Sequence, residues 1–549
     1  MLTELLILGS YGLILILLAI FGFHRSLLVW LYFKNKKNVP QPKGHFEAED
    51  LPRVTIQLPV FNEMYVSERL LEAAAGIDYP RDLLDIQVLD DSTDETTDIC
   101  RRKVAQLRAT GLDIECIHRA DRTGFKAGAL ENGLRTAKGE FVMIFDADFI
   151  PQASVVKNCI HYFTDPEIAV VQARWGHLNY DHSALTRVQA LMLDGHFIME
   201  HTARCRSGRF FNFNGTAGIW RRSAIADAGG WEHDTLTEDM DLSYRAQLKG
   251  WRFVYLKDLV VPAELPVEMN AFKSQQFRWA KGSIQNARKI LPKVLRSDVS
   301  TAQKIETFFH LTNNVAYPLL LLLSMLLLPC LMLRSTHGWR EVLLVDLPLF
   351  FGTTLSVCTF YLTTQREEGS RSLWWGLKRL PLLLATGIGL SVNQTRAVFE
   401  ALLGKESDFV RTPKHGVVGK VQTWKSKKYR GALTVVPFIE ATMALYFAVT
   451  LVLAIWAGRY VSIPFVILFG GGYAYVGFLS LAHGIRRRRK VAAQAVEVVE
   501  PRAVPADPQP IPAELLVEAR AQAHRFLAPF PDSNARVVAA DARSAGPGG

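Results

Sequence analysis

Hydrophobic and polar positions are distributed differently in the middle of this chain and at its two ends. Residues 5 to 23 form an uncharged apolar run of 19 residues, and the basic sequence KNKK follows at 34 to 37. A helix of that length can cross a bilayer core of about 30 Å. Neither a basic segment before the run nor a small-residue cleavage site after it is present. The pattern therefore predicts a retained membrane anchor rather than a cleaved signal peptide.

Apolar segments return after residue 305. Four of them are long enough to span a membrane, at 315–333, about 343–362, about 433–456 and about 460–482. A further apolar segment at 380–392 has only 13 residues, which is typical of an interfacial or re-entrant helix. If the five long segments cross, the basic clusters at 34–37, 404–431 and 486–490 all lie on one side. The positive-inside rule makes that side cytosolic.

Short strands and helices alternate between about 50 and 305, as in a soluble α/β domain. The segments VTIQLPV (54–60), DIQVLDD (85–91) and 112–118 predict strands with helices between them. The spacing of Ser92 and Glu95 predicts a capping box that starts a helix through about residue 108. This order indicates a parallel sheet with right-handed crossovers. Ligands of such sheets bind at the carboxyl ends of the strands.

Composition narrows the classes of partner. The formal net charge of +10 is smaller than the charge that the segments 404–431 (+6) and 486–490 (+5) carry together. The positive charge therefore reflects membrane topology, and we expect contact with membrane lipids and none with nucleic acid. The six cysteines are far apart and form no C-x-x-C pair, which argues against a zinc or redox site. Proline and alanine dominate the residues after 490, which predicts a disordered tail.

Carboxylates follow two of the predicted strands. Asp90 and Asp91 end the second strand, and Asp146 and Asp148 follow the apolar segment GEFVMIF at 139–145. Alternation along an extended segment would point Asp146 and Asp148 the same way, where a divalent cation could relieve their repulsion. The pair could equally be a solvated loop end. No glycine-rich phosphate loop occurs, so a diphosphate would need the metal and cations such as Lys126, which could itself be an exposed helical lysine.

Two further motifs admit both a structural and a chemical interpretation. In HDTLTEDMDLSYRA (233–246), Thr237 could cap a helix whose first acids offset the helix dipole. In QQFRWAKG (275–282), Arg278 and Trp279 could anchor an interfacial helix. They are also the residue types that bind a diphosphate and the face of a pyranose ring.

Taken in order, D-D, K-A-G, D-A-D, T-E-D and Q-x-x-R-W between membrane spans resemble the processive family 2 glycosyltransferases of the cellulose synthase superfamily. The segments TEDMDLSYRAQLKGW and QQFRW are especially similar to the cellulose synthase-like mannan and glucan synthases. The resemblance covers about 50 to 300 closely and extends more loosely to FVRTPK at 409–414. It implies an α/β GT-A-type nucleotide-sugar domain inserted between transmembrane helices, with about five spans plus interfacial helices. The implied organisation is an anchor at 1–37, a cytosolic catalytic domain at 50–305, a membrane region at 306–485 with a gating-type loop at 404–431, and a tail at 486–549.

The resemblance also implies roles for individual residues. Asp239 would be the general base that accepts the proton of the acceptor hydroxyl, and Glu238 would orient it. The implied nucleotide-sugar site comprises Asp90, Asp91, Lys126, Asp146, Asp148, Gln275, Arg278, Trp279, Thr412 and Lys414. The implied acceptor site comprises Asn214, Gly215, Thr216 and Trp279. Asp146 and Asp148 would hold Mg²⁺ or Mn²⁺. Arg411 occupies the position where the gating-loop pattern F-x-V-T-x-K has valine.

The resemblance implies an inverting hexosyltransferase in a bacterial inner membrane, with its catalytic domain in the cytosol. It would add hexose from UDP-glucose or GDP-mannose to a growing β-linked polysaccharide and couple synthesis to translocation. The alternative is a single transfer to a membrane lipid. An inactive scaffold is disfavoured because all the catalytic motifs are intact. Glu440, an acid inside a predicted span, is expected to snorkel to the cytosolic end, to pair with a basic residue of 404–431, or to line the path of the emerging glycan.

Overall fold

The structure is a computed structural model, and it describes residues 2–333, 347–369, 372–407, 409–419, 427 and 434–497. The chain divides into two units, Met1–Arg489 and Lys490–Gly549. The sheet, the cleft and the long apolar helices belong to the first unit. From residue 498 onward, the predicted tail lies outside the described residues.

Seven strands form one mixed sheet in the order β3-β2-β1-β4-β6-β5-β7. The strands are β1 (Val54–Val60), β2 (Leu84–Asp90), β3 (Ile114–His118), β4 (Phe141–Ile144), β5 (Ile168–His177), β6 (Gly218–Arg221) and β7 (Arg252–Ala263). The first four strands pair in parallel, as predicted. The sheet is mixed beyond these strands, because β6 runs antiparallel to both β4 and β5. Strand β5 is therefore parallel to β4, and it pairs in parallel with β7.

Burial on both faces explains why these segments form central strands. Every residue of β2 and β4 is buried, and so are all but one of β1. Near-continuous burial of this kind is typical of parallel strands covered by helices on both faces. Because β1, β2, β4 and β5 run in the same direction, their carboxyl ends lie at one edge of the sheet, and the site is at this edge.

Helices precede, cover and follow the sheet. The first ten are α1 (Leu2–Lys34), α2 (Ser67–Ala75), α3 (Thr96–Arg108), α4 (Phe125–Leu134), α5 (Val155–Ile160), α6 (Ala184–Asp194), α7 (Thr202–Arg206), α8 (Arg222–Asp227), α9 (Glu238–Leu248) and α10 (Met269–Arg296). A π-helix at Gly195–His201 joins α6 to α7. Short 3₁₀ turns occur at Arg81–Leu83, His161–Thr164, Tyr180–His182, Asn313–Val315 and Tyr460–Ser462.

The remaining helices follow α10 along the chain. They are α11 (Thr301–Thr312), α12 (Ala316–Leu333), α13 (Leu347–Glu368), α14 (Leu373–Leu377), α15 (Leu380–Gly389), α16 (Ser391–Leu402), α17 (Val436–Trp456) and α18 (Ile463–Glu497). The six cysteines all carry free thiols.

The predicted capping box of α3 does not form, although the helix ends at Arg108 as predicted. The Ser92 hydroxyl accepts a hydrogen bond from the backbone N–H of Asn62 at 2.8 Å. The Asp94 carboxylate instead accepts from the N–H of Thr96, the first helical residue, at 3.0 Å. Because the helix begins at Thr96, Ser92 is too far from its first turn to cap it.

Within the described residues, four helical segments are long and apolar enough to cross a membrane, judged by length and composition. They are Leu2–Lys34, Thr301–Leu333, Val436–Trp456 and Tyr460–Gly484. The remaining predicted span, at about 343–362, overlaps α13, and its first residues lie outside the described part of the chain. Helix α15 has 10 residues, so it is too short to span, as predicted for 380–392. Large apolar side chains on the spanning helices, such as Phe23, Leu445 and Phe478, are exposed and suited to contact lipid.

Glu440 lies buried in α17 and pairs with a residue of α10. Lys273 Nζ, on α10, donates to Glu440 Oε1 at 2.6 Å. Both side chains are almost completely buried. The expectation that Glu440 pairs with a basic residue of 404–431 is therefore wrong. The pair connects α10, which also carries the Q-x-x-R-W motif, to the membrane region.

Breaking this buried pair should destabilise the protein. Lys273→Met leaves the Glu440 carboxylate buried without its cation, a change that typically costs about 3–5 kcal/mol. We expect a clearly lowered thermal unfolding temperature for Lys273→Met in detergent. The double variant Lys273→Met/Glu440→Leu should recover most of the loss, because no uncompensated charge stays buried. Equal unfolding temperatures for wild type and Lys273→Met would show that the pair contributes nothing to stability.

Candidate active site

A cleft of about 180 Å³ opens at the carboxyl edge of the sheet. Its walls come from the carboxyl ends of β1, β2, β4, β5 and β7 and the residues next to them, from the start of α9, from the middle of α10 and from the segment 409–414. The structure brings all the predicted site residues to this cleft except Asp90 and Thr216. The lining includes Asp91, Lys126, Asp146, Asp148, Asn214, Gly215, Glu238, Asp239, Gln275, Arg278, Trp279, Thr412 and Lys414.

Lys126 binds the first acid of the D-x-D pair. Its ammonium group at the start of α4 is hydrogen-bonded to Asp146 and donates to the carbonyl of Gly215 at 2.9 Å. Burial alone would lower the pKa of Lys126, but Asp146 and the nearby acids of the T-E-D motif outweigh it and raise the pKa. Lys126 is therefore a fixed cation of the cleft rather than an exposed helical lysine.

Lys414 binds the second acid of the pair. Its Nζ donates to Asp148 Oδ2 at 2.6 Å and to the carbonyl of Glu264 at 3.0 Å. The Glu264 carboxylate in turn accepts from the backbone N–H groups of His415 and Gly416 at 2.9 and 2.7 Å. These bonds hold the predicted gating segment against the end of β7.

Asp146 and Asp148 reach the cleft by a route that strand alternation does not describe. Strand β4 ends at Ile144, and the chain turns at Ala147 and Asp148. The two carboxylates pair with different lysines, one from α4 and one from the segment 409–414. Two cleft-lining carboxylates, each already paired with a cation, are oxygen ligands of the kind that Mg²⁺ and Mn²⁺ prefer. The residues present thus fit a divalent cation at this position.

The T-E-D motif starts α9, but Thr237 does not cap that helix through its side chain. Its hydroxyl accepts from Asn286 Nδ2 at 2.9 Å, which fixes the motif to α10. The N-cap interpretation of Thr237 is therefore wrong for the side chain. Glu238 and Asp239 are half-buried at the cleft, as the chemical interpretation expected.

Asp239 lies directly beside Gly215. A Cβ atom on Gly215 would be 3.1 Å from Asp239 Oδ2, and the φ of +78° also favours glycine there. Burial and then repulsion by Glu238 raise the pKa of Asp239 to about 7, although Lys126 opposes the shift. A carboxylate with that pKa is suited to accept a proton near neutral pH.

Three acids close to the T-E-D motif in the chain surround a lysine. Lys289 Nζ lies 2.7 Å from Asp234 Oδ1, 2.9 Å from Asp241 Oδ1 and 2.5 Å from Glu232 Oε2. These three carboxylates are close enough to one another to hold a metal ion. One lysine contacts all three carboxylates, and none of the three lines the cleft, so the cluster is an ion-pair network outside the site.

Helix α10 supplies the wall opposite the D-x-D pair. Gln275, Arg278 and Trp279 line the cleft. The Arg278 guanidinium lies 4.3 Å from the ring centroid of Phe409, and the Trp279 ring lies 6.4 Å from that of Trp175. The motif faces the site rather than lipid, so the interfacial-anchor interpretation of Arg278 and Trp279 is wrong.

Asp90 and Asp91 have different environments although they are adjacent. Asp91 lines the cleft and forms a bidentate ion pair with Arg119 at 2.8 and 2.6 Å. Asp90 does not line the cleft, because its carboxylate binds His118 at 2.8 Å and the N–H of Ser92 at 3.0 Å. Asp90 therefore stabilises the end of β2 through β3 and the following turn, and it does not line the predicted nucleotide site.

Among the predicted acceptor residues, Asn214 and Gly215 line the cleft and Thr216 lies behind them. The Thr216 hydroxyl accepts from the backbone N–H of Asp146 at 2.8 Å, so Thr216 supports the D-x-D turn. The Asn214 amide binds His201 Nε2 at 2.7 Å and His196 Nε2 at 3.0 Å, both from the π-helix. Two contacts fix the orientation of this amide.

Sequence reasoning missed several cleft residues. They are Glu63, Arg122, His177, Glu264 and Phe409. Glu63 and His177 stand at or just after the carboxyl ends of β1 and β5, a position that could have identified them. Glu264 has no comparable signal, since its partners His415 and Gly416 are about 150 positions away in the chain.

Arg411, the departure from the gating-loop pattern, has a specific partner in the cleft. Its guanidinium lies 3.3 Å from the carboxylate of Glu63, and both side chains are largely buried. Burial raises the pKa of Glu63 to about 7, although Arg411 opposes this shift. The segment 409–414 is thus attached to the cleft at two acids, Glu63 and Asp148.

Comparison with known proteins identifies the family. Residues 52–282 match the family described as glycosyltransferase like family 2. The probable glucomannan 4-beta-mannosyltransferase 10 of Arabidopsis thaliana is 37% identical over 421 residues, which are 73% of this chain and 74% of the relative. The glucomannan 4-beta-mannosyltransferase 1 of Oryza sativa subsp. japonica is 39% identical over 396 residues, 70% of this chain and 73% of the relative.

Among solved structures, the mannosyltransferase PcManGT from Pyrobaculum calidifontis in complex with GDP-Man and Mn²⁺ is similar with a TM-score of 0.49 and 21% identity. The similarity covers 72% of this chain and 100% of that chain. The mixed sheet and the family match confirm the expected GT-A-type fold. The chain belongs to glycosyltransferase family 2 and is a glycosyltransferase similar to the cellulose synthase-like glucomannan mannosyltransferases.

Proposed function

We propose that this chain is a membrane-embedded, inverting hexosyltransferase that extends a β-linked glycan from a nucleotide sugar. The observation that carries the proposal is that one cleft contains three groups of residues. They are Asp239, whose pKa is near neutral, the D-x-D acids with their two lysines, and the Arg278–Trp279 wall. A transfer of this class needs a base for the acceptor, a site for the diphosphate and a surface for the sugar.

Each part of the reaction has a residue in the cleft. Asp91 would contact the nucleoside, and Arg278 and Lys126 would bind the diphosphate. Mg²⁺ or Mn²⁺ held by Asp146 and Asp148 would neutralise charge on the departing diphosphate. Asp239 would take the proton from the acceptor hydroxyl as the bond between C1 of the sugar and the phosphate oxygen breaks. Glu238 would raise the basicity of Asp239 by repulsion.

The segment 409–414 would close over the nucleotide. Arg411 contacts Glu63, Lys414 contacts Asp148 and the carbonyl of Glu264, and the Phe409 ring contacts Arg278 and Phe125. All of these partners except Phe125 line the cleft, and they lie on different elements. Thr412, which is buried and lines the cleft, would then face the nucleotide.

We propose GDP-mannose as the donor, because the similar plant proteins are named as mannosyltransferases, and UDP-glucose as the second candidate. The basic segments favour the cytosolic side for the catalytic domain by the positive-inside rule, and on this proposal the glycan would leave through the membrane region. The glucomannan mannosyltransferases named above are plant proteins. We therefore propose the cytosolic side of a membrane for the catalytic domain, and not a bacterial membrane in particular.

Product length tests the proposed function. Membranes that contain the protein are incubated with radiolabelled GDP-mannose or UDP-glucose, and the product is sized before and after digestion with linkage-specific β-mannanase or β-glucanase. We expect a labelled polymer that one of these enzymes degrades, and none from membranes with Asp239→Asn. A product that extracts only as a glycolipid would contradict chain extension and support a single transfer to lipid.

The base assignment predicts a pH dependence. Asp239 must be unprotonated to act, so kcat/KM for the donor should rise with pH through about 7 and then level off. Asp239→Asn should lower kcat by about 100- to 10,000-fold. It should change nucleotide affinity little, because the metal and diphosphate ligands stay in place. The exposed Asp258, on β7, provides the matched control Asp258→Asn, which should behave as wild type. A flat profile between pH 5.5 and 8 would place the base elsewhere.

The contact between Arg411 and Glu63 predicts coupled effects on donor affinity. Arg411→Val introduces the residue of the gating-loop pattern and removes the cation beside Glu63. We expect about a five- to twentyfold higher donor KM for Arg411→Val and for Glu63→Gln, as usual for contacting residues. The double variant should be no worse than either single variant. If the two effects multiply, the residues act independently and the ion pair does not hold the segment.

A further inference from the structure

The cleft contains a histidine–carboxylate pair that the reaction described above does not use. Strand β5 ends at His177, which lines the cleft together with Gly176 and Trp175. His177 Nε2 is hydrogen-bonded to Asp194 Oδ1 at 2.9 Å, and only 9% of the side chain is exposed. Among the residues that the structure describes, none hydrogen-bonds His177 Nδ1, although this atom is buried.

The Asp194 carboxylate determines whether His177 Nδ1 accepts or donates a hydrogen bond. A neutral imidazole that donates its Nε2–H to Asp194 carries a lone pair on Nδ1, which can accept a hydrogen bond from a hydroxyl group. Partners of this kind fix the tautomer and the orientation of a histidine ring. A buried polar atom without a partner is unfavourable, so a ligand that supplies one gains affinity.

The sheet places this pair away from the nucleotide end. Asp91 follows β2, whereas His177 ends β5, and β4 with its D-x-D turn lies between these two strands. Because β5 runs parallel to β4, His177 ends at the same edge as the acids. The pair is thus on the far side of the D-x-D turn from Asp91.

The surroundings of His177 match those of the acceptor residues. Asp194 directly precedes the π-helix, whose His196 binds the amide of Asn214 at 3.0 Å. Trp175, two positions before His177, has its ring 6.4 Å from that of Trp279. One short segment, 194–196, therefore supports both Asn214 and His177 beside two indole rings. Indole faces are suited to pack against a pyranose ring.

We propose that His177, oriented by Asp194, forms a subsite that binds a hydroxyl group of a pyranose unit in the acceptor glycan. The inference rests on the proposed function, since it assigns a further contact to the acceptor of that reaction. His177 binds the glycan directly, and Asp194 is a positioning residue that acts through the ring. Neither takes part in the proton transfer assigned to Asp239.

Direct binding tests the subsite. The detergent-purified full-length protein is titrated with β-1,4-mannohexaose and with cellohexaose, and the change in tryptophan fluorescence gives Kd. The loss of one neutral hydrogen bond should raise Kd about five- to tenfold in His177→Phe, which keeps a ring of similar size. Titration with GDP and with UDP in the presence of Mn²⁺ should give affinities within about twofold of wild type, because the nucleotide site is on the other side of the D-x-D turn.

Two further variants make the test specific. Asp194→Asn can donate to Nε2, which would leave the proton on Nδ1 and change an acceptor into a donor, so we expect at least about a threefold higher Kd. His161→Phe is the matched control, because His161 belongs to the same domain and lies outside the cleft lining; its Kd should equal that of wild type. Thermal unfolding shows whether each variant is folded. The results for His177→Phe and Asp194→Asn are interpreted separately, so the test can be made with either variant alone if the other does not fold.

The outcomes separate the inference from the proposed function. If wild type makes polymer and either folded variant binds both hexasaccharides as wild type does, the hydroxyl subsite is refuted while the proposed function stands. If wild type makes only glycolipid and binds neither hexasaccharide, the proposed function itself fails, and the subsite fails with it. Weaker glycan binding with unchanged nucleotide binding supports the subsite, whereas equal weakening of both would refute its assignment to the acceptor side.

Discussion

The repulsion between the two acids of the D-x-D turn is the constraint around which the site is organised. Asp146 and Asp148 lie at one edge of the sheet, and each pairs with its own lysine. Lys126 comes from the helix after β3, whereas Lys414 comes from a segment far along the chain, after the second membrane-compatible segment. Because one of the two lysines that neutralise these acids lies in the segment 409–414, the ion pair connects the catalytic domain to the segment that would cover its cleft. The same charges influence Asp239, because Lys126 opposes the rise in its pKa that burial and Glu238 produce.

Helix α10 connects the cleft to the membrane region. Its start contributes Lys273, which pairs with Glu440 in α17, and its middle contributes Arg278 and Trp279 to the cleft wall. One turn later, the buried Lys281 donates to Glu400 of α16 at 3.0 Å and to Ser407 at 2.8 Å. Ser407 lies just before the segment 409–414. Movement of the covering segment and of the membrane helices would thus both act on the helix that carries the Q-x-x-R-W motif.

Sequence periodicity and motifs predicted a large part of this arrangement. The apolar runs identified four membrane-compatible segments. The strands β1 to β4 were predicted from short apolar-rich segments with helices between them. Most predicted site residues line one cleft, because motifs at the ends of parallel strands are brought together by the sheet itself.

The features that sequence reasoning missed depend on contacts between distant residues or on small differences in local geometry. Glu63 and Arg411 are separated by 348 positions, and no pattern within either segment indicates their contact. Asp90 and Asp91 are adjacent, yet only the pairing of Asp90 with His118 on β3 shows which of them faces the cleft. The antiparallel strand β6 is short and fully determined by its neighbours β4 and β5, so its direction could not be inferred from its own four residues.

Metal-dependent nucleotide binding tests the central claim, that this cleft holds a nucleotide diphosphate through the D-x-D acids. The Kd of GDP and of UDP is measured by calorimetry for the detergent-purified protein with Mn²⁺ and with EDTA, in wild type and in Asp148→Ala. The account predicts that at least one nucleotide binds about tenfold or more tightly with Mn²⁺ in wild type, and that Asp148→Ala loses this gain. Equal affinity of wild type with Mn²⁺ and with EDTA, or an undiminished gain in Asp148→Ala, would contradict it.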